Sequence, residues 1–155
     1  MGFADLMRKM TVAAAAGDGK GVAECFTEDG TYHDVFYGSF TGREAIAGMI
    51  EGLFHRDGEN FRWDLHDPVD DGSKGYVRYV FSYSSKLPGS AGKRALFEGV
   101  AHVDLVDGLI SDYHEVAEAG TGLQMLGFPP ERLAKFIGRQ ARLLAERDEA
   151  AGHLE

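Results

Sequence analysis

The chain has 155 residues, and its 16 Lys and Arg against 25 Asp and Glu give a formal net charge of −9, which suits one hydrophobic core and disfavours nucleic acid or anionic lipid as partners. A single cysteine, Cys25, excludes an intramolecular disulfide framework and fits a reducing compartment. The 21 glycines would suit a disordered chain, but ten Phe, six Tyr and one Trp supply the apolar area of a packed core.

The first segment, residues 3–16, reads as a helix with Phe3, Leu6, Met7, Met10 and Ala14 on one stripe. Asp18 is a natural N-cap for a second helix carrying Val22, Cys25 and Phe26. Residues 27–30 read as a turn, and the β-branched and aromatic run 31–36 as a strand. Tyr37-Gly38-Ser39 turns the chain. Thr41, with Glu44 three residues later, predicts a capping box for a third helix through Ile46, Met49, Ile50, Leu53 and Phe54.

From residue 60 the period changes to two. Phe61, Trp63 and Leu65 alternate with polar residues, as do Val77, Tyr79, Phe81 and Tyr83, and then Phe97, Gly99, Ala101, Val103 and Leu105. Residues 70–73 and Asp107-Gly108 are hairpin signals. The last strand, 109–117, has ambiguous parity: Ile110 and Val116 suggest one inward face, Leu109 and Tyr113 the other, so either Tyr113 and Glu115 or Asp112 and His114 face the interior. Gly120-Thr121-Gly122 ends it. Pro129-Pro130 opens a final helix with Leu133, Phe136, Ile137 and Leu144 inside and Arg132, Lys135, Arg139 and Arg142 on a solvated face, or one that docks an acidic neighbour.

Strands at hairpin spacing are antiparallel, so the expected fold class is α+β: a strongly twisted antiparallel sheet wrapped around three N-terminal helices as a cone, plus a C-terminal helix. Residues 1–128 form the cone and 129–155 a helical extension of the same domain. There is no internal repeat. Neither a basic and apolar leader nor a run of ~18 apolar residues is present, which predicts a cytoplasmic protein away from membranes.

Five signposts resemble the SnoaL-like part of the nuclear transport factor 2-like superfamily. Gly17-Asp18 precedes helix two. Phe26 to Tyr32 (FTEDGTY) is similar to the family's F-x-x-D-A-x-Y/W approach to strand one, and Phe40 to Ile46 (FTGREAI) to its G-x-x-G-R-x-A-I start of helix three. Asp107-Gly108-Leu109-Ile110 resembles D-G-K-I before the last strand, and Gly122 to Phe128 (GLQMLGF) the L-x-Q-L-G segment of SnoaL-like polyketide cyclases. The resemblance covers roughly residues 3–128. It implies the cone fold but no single activity, because that fold hosts isomerases, cyclases, dehydratases, epoxide hydrolases and non-enzymatic binders.

Asp34 shares a strand face with Tyr32, and its place resembles that of the general-base aspartate of ketosteroid isomerases. The alternative is a strand-end Asp that holds the following turn. On the family's pattern Tyr113, Glu115 and Ala117 face the pocket, where Glu115 resembles an aspartate of limonene epoxide hydrolases. An inward Asp34–Glu115 pair would supply one acid and one base, and Tyr79 is a third candidate as a hydroxyl donor. The expected lining is Tyr32, Met49, Leu53, Phe54, Trp63 and Phe81, with Tyr83, Phe97, Gly99, Ala101, Val103 and Tyr113 around them. Ketosteroid isomerases also use a helix-one tyrosine and a second acid, where this chain has Met10 and Ala101. Epoxide hydrolases use an arginine, where it has Gly99 or Ala101.

The histidines show no metal-ligand spacing, and Gly17 to Gly21 lacks the spacing of a phosphate loop. The expected function is therefore a small acid–base enzyme of isomerase, cyclase or dehydratase type, without metal or organic cofactor, acting on a hydrophobic carbonyl compound. The alternatives are a binding module and a dimeric accessory subunit. A homodimer through the outer sheet face, with Val80, Val100 and Val106, is expected in each case.

Overall fold

The computed structural model describes residues 1–155. Helix α1 (Phe3–Ala16) buries the expected stripe, with Met7 and Met10 fully enclosed. It stops at Gly17, whose φ of +77° makes a left-handed cap. His55 Nε2 donates to the Ala14 carbonyl at 2.7 Å, satisfying one of the acceptors that a helix end leaves open. Helix α2 (Gly19–Ala23) starts as expected, with the Asp18 side chain accepting from Gly21 N at 2.9 Å.

The next stretch differs from the sequence reading. Phe26 does not continue α2 but opens strand β1 (Phe26–Asp34), and residues 27–30 are bulged strand rather than turn. An unexpected short strand, β2 (Gly38–Thr41), pairs antiparallel with β1. Thr41 bonds across this pair to Thr31 at 2.9 Å and does not cap helix α3 (Arg43–Met49). Arg43 anchors that helix instead, donating from Nε and Nη2 to the Phe26 carbonyl at 3.0 and 2.7 Å. The helix runs on through a π-helical turn, Ile50–Phe54, into the short α4 (His55–Asp57).

Strands β3 (Gly58–Asp70), β4 (Lys74–Ser85), β5 (Arg94–Val106) and β6 (Leu109–Ala117) follow as an antiparallel ribbon. The six-stranded order is β2-β1-β6-β5-β4-β3. One pair, β1 with β6, is parallel. The sheet is therefore mixed where an antiparallel one was expected, because the whole ribbon, and not a hairpin, connects these two neighbours. Its concave face closes over α1, α2 and α3, and Val77, Tyr79, Phe81, Phe97, Ala101 and Val103 fill the space between.

Gly120-Thr121-Gly122 lies within a short helix, α5 (Ala119–Met125), rather than marking an irregular strand end. Helix α6 (Pro130–Ala145) begins at the proline pair as expected. Its faces do not follow the expectation: Ile137 and Leu144 are 58% and 53% exposed, while Leu133 and Phe136 pack inward. It is tied to the cone by Arg139 Nη1 donating to the Phe36 carbonyl and Gln140 Nε2 to the Val35 carbonyl, each at 3.1 Å. No helix is long and apolar enough to cross a membrane.

Because α1 fills the cone through unbranched side chains with no exposed surface, truncating one leaves a void. Met10→Ala is expected to lower unfolding stability by about 2–5 kcal/mol, read as a shift of the urea midpoint with an unchanged slope.

Candidate active site

The parallel pairing places Tyr32 opposite Tyr113, and their rings stack with centroids 4.5 Å apart. One residue further along, His33 and His114 stack on the opposite face at 3.9 Å. Two residues further, Asp34 and Glu115 return to the inner face. The chain thus sets Tyr32-His33-Asp34 beside Tyr113-His114-Glu115, two tripeptides of one pattern, in register. A β-bulge decides the parity of β6: its register against β5 shifts between Asp104↔Asp112 and Leu105↔Ile110, so Ser111 is the extra residue. Ile110 and Tyr113 can then both be fully buried, with Val116 66% exposed on the other side.

Asp34 Oδ2 accepts from the backbone N–H groups of Phe36 and Tyr37 at 2.9 and 3.0 Å, so it holds the following turn, while Oδ1 has no hydrogen bond. Burial raises its pKa above the usual carboxylate value; the two N–H donors and the nearby Arg139 oppose the rise. Glu115 is pushed further, to about 8, first by burial and then by the charge of Asp34. Its Oε1 accepts from the Tyr113 hydroxyl at 2.6 Å. Glu115 therefore holds its proton at neutral pH, beside an Asp34 whose own proton affinity is raised.

Both carboxyls line an inner chamber of about 20 Å³, together with Tyr32, Trp63, Tyr79 and Phe97. That volume fits roughly one water molecule or one substrate oxygen. Trp63 Nε1 in this wall has no partner, and the Tyr79 hydroxyl makes no hydrogen bond of ordinary geometry although it lies close enough to Glu115 for the two to act on each other's proton. Burial and the charge of Glu115 keep Tyr79 protonated. The hydroxyl occupies the space that Gly99 leaves: a Cβ on Gly99 would lie 2.6 Å from it and 2.9 Å from the Val116 carbonyl.

An outer pocket of about 550 Å³ lies beyond the chamber, a volume that suits a small organic ligand. Phe36, Phe54 and Phe81 line both spaces and form the partition. The π-helical turn carries Phe54 into this wall, where it stacks on Phe61 at 4.2 Å. Tyr83 belongs to the outer pocket alone.

The remaining expected lining residues do not reach either space. Met49, Ala101, Val103 and Tyr113 are core, each 2% exposed or less, and Tyr113 meets the chamber only through its hydroxyl's bond to Glu115. Leu53 packs half-buried against the core, and Gly99 is covered by Tyr79. The sequence reading missed Phe36, Phe61, Phe128, Leu123 and the basic side chains of α6, all of which line the outer pocket.

On the outer sheet face, His33 Nε2 and His114 Nε2 each bond one oxygen of Asp112, at 2.7 and 2.9 Å. The ligand atoms of this trio lie within 4.8 Å of one another, although the spacing in the chain gives no sign of it. The imidazoles stack 12° from parallel, and the Nε2 of each is taken up by Asp112. His33 Nδ1 is also bonded, to Ser39 at 2.7 Å. The trio is a hydrogen-bonded strap between β1, β2 and β6.

The sequence profile of the SnoaL-like domain family matches residues 7–113. Among curated proteins, none matches the chain. Several solved structures share its fold. A hypothetical protein from Catenulispora acidiphila, with a ketosteroid isomerase-like fold and solved with trimethylamine, aligns with a TM-score of 0.73 and 19% identity over 82% of this chain and 95% of its own. TsrD from Streptomyces laurentii aligns at 0.68 and 21% identity, over 82% and 98% of the two chains. An epoxide hydrolase of the LEH-like type from M. tuberculosis aligns at 0.64 and 14% identity, over 86% and 94%.

The raised Glu115 fixes the sign of a pH effect on stability. With a native value of about 8 against 4.5 for a free glutamate, its neutral form favours the folded state, and that contribution is lost as pH rises from about 4.5 through 8. The melting temperature is expected to fall between pH 6 and pH 9, and to fall by roughly 5 °C less in Glu115→Gln. Scanning calorimetry of both proteins checks this; identical pH slopes would remove the raised pKa.

Proposed function

The chain belongs to the SnoaL-like domain family, and within that family we propose that it is an acid–base enzyme that moves protons next to the carbonyl of a hydrophobic compound. The observation that carries this reading is the pair Asp34 and Glu115, side by side in an apolar chamber that raises the proton affinity of both, that of Glu115 to about 8. Asp34 is the base. Its free Oδ1 takes a proton from the carbon beside the carbonyl, while the two backbone N–H groups on Oδ2 hold the carboxylate in place. Charge then develops on the carbonyl oxygen. The Tyr79 hydroxyl, in the chamber wall beside Glu115, donates to that oxygen, and Glu115 delivers the balancing proton.

The same proton movements serve isomerisation, dehydration and aldol-type ring closure, and side chains alone supply them. Candidate polyketide cyclases from Xanthomonas campestris and Streptomyces antibioticus share the fold at TM-scores of 0.58 and 0.65, which supports this range of chemistry. The outer pocket holds the body of the substrate, and its reactive carbonyl passes the Phe36, Phe54 and Phe81 partition.

Proton exchange at carbon tests the reading without knowledge of the natural substrate. 2-Tetralone in D2O, followed by NMR, is expected to lose its α-protons faster with the protein than with buffer. Asp34→Asn should slow the catalysed exchange by about 100-fold or more. The wild-type rate should fall above about pH 8 as Glu115 ionises, and Glu115→Gln should lack that limb. Exchange that is equally fast in Asp34→Asn would remove Asp34 from the role of base.

A further inference from the structure

The outer pocket has a charge that the chain as a whole does not. The protein carries −9, yet Arg132, Lys135, Arg139 and Arg142 all line this one cavity. They stand three or four residues apart, which puts them on a single stripe of α6. The stripe is about 15 Å long at the helical rise per residue, and no Asp or Glu occurs between Arg132 and Arg142. None of the four is within ion-pair distance of a carboxylate, although nine such pairs form elsewhere in the molecule.

The single acidic residue of the lining, Asp57, is already engaged. Arg56 donates to it at 2.7 and 2.8 Å, and the Tyr37 hydroxyl at 2.7 Å. Two of the four cations have local duties: Arg132 lies 4.1 Å over the Phe128 ring, and Arg139 bonds the Phe36 carbonyl. The side chains of Lys135 and Arg142 make no hydrogen bond to any protein group. Like charges gathered at a concave aromatic surface repel one another, and a bound anion relieves that repulsion. The cone contributes an apolar lining to the same pocket, with Phe54, Phe61 and Phe81.

We propose that the substrate is an organic acid: a hydrophobic ring system whose carboxylate is held by the basic stripe of α6 while its carbonyl end points to the inner chamber. This rests on the acid–base reading of the chamber for the word substrate, and on the outer pocket alone for the binding of the acid. A carboxylate matches the planar guanidinium groups of the arginines. It also orients the molecule, because the negative end is kept at the basic stripe, away from the Asp34 and Glu115 carboxyls. The α6 stripe is thus a specificity determinant, and Lys135 and Arg142 are its least encumbered members.

Calorimetric titration with 2-naphthoate, and with uncharged 2-naphthalenemethanol of similar shape, tests the proposal without any turnover. The wild type is expected to bind the acid at least 10-fold more tightly than the alcohol, and to lose that preference as NaCl rises from 20 to 500 mM. Lys135→Gln/Arg142→Gln should weaken 2-naphthoate at least 10-fold and change the alcohol less than 2-fold, with a melting temperature showing that the variant is folded. Equal affinity for acid and alcohol in the wild type, or an unchanged acid affinity in the double variant, would overturn the proposal. Asp34→Asn keeps the preference for the acid. A protein that binds 2-naphthoate in this way but exchanges no protons from 2-tetralone would therefore lose the catalytic reading and keep the anion site.

Discussion

The site depends on the register of the one parallel strand pair. Because Tyr32 lies opposite Tyr113, the next residues must fall as His33 beside His114 and Asp34 beside Glu115. A shift of one residue would send one carboxyl to the outer face and a histidine inward. The register is held from both sides. Inside, the two tyrosine rings stack in a fully enclosed position. Outside, Asp112 binds both imidazoles, and Ser39 of β2 fixes the first of them. The outer strap thereby keeps the inner carboxyls together, although the two groups of residues lie on opposite faces of the sheet.

That placement separates charge by depth. The two acids sit behind the aromatic partition, where burial keeps one of them neutral near pH 7. The cations stand in front of it, on a helix that reaches solvent. Arg139 links the layers: it bonds the Phe36 carbonyl beside the partition, and its charge lowers the proton affinity of Asp34 behind it. Such a gradient favours a ligand with an anionic end and a neutral, polarisable end. The partition is also where the helix departs from α geometry, at Ile50–Phe54. A π-turn inserts a residue into the helical repeat and re-aims the side chains that follow, here Phe54, which faces both the chamber and the pocket.

Much of the fold was legible because local pattern carries it. The period of two in residues 77–83 and 97–103 identified the inner face correctly at each position, since a strand exposes alternate residues whatever its neighbour. Asp18 read as a cap and Pro129-Pro130 as a helix start for equally local reasons. Thr41 failed because a cap and a strand end use the same residue type, and the cross-strand bond to Thr31 won. The parity of β6 stayed open because alternation breaks at Ser111, and a bulge is visible only against the partner strand. The family's pattern placed Glu115 inward where periodicity could not.

The basic face of α6 shows a different limit. Helical spacing reports which residues share a face, and it correctly put Arg132, Lys135, Arg139 and Arg142 together. It does not report what that face covers. A charged stripe opposite an apolar one usually meets water, and here it meets the mouth of a cavity, because Leu133 and Phe136 dock α6 across the end of the cone. The signal that did reach across the chain was the repeated order Tyr-His-acid at residues 32–34 and 113–115. Two strands that must stack like residues on both faces are constrained to carry the same alternation, so the repeat records a pairing 81 positions apart that neither strand's own periodicity contains.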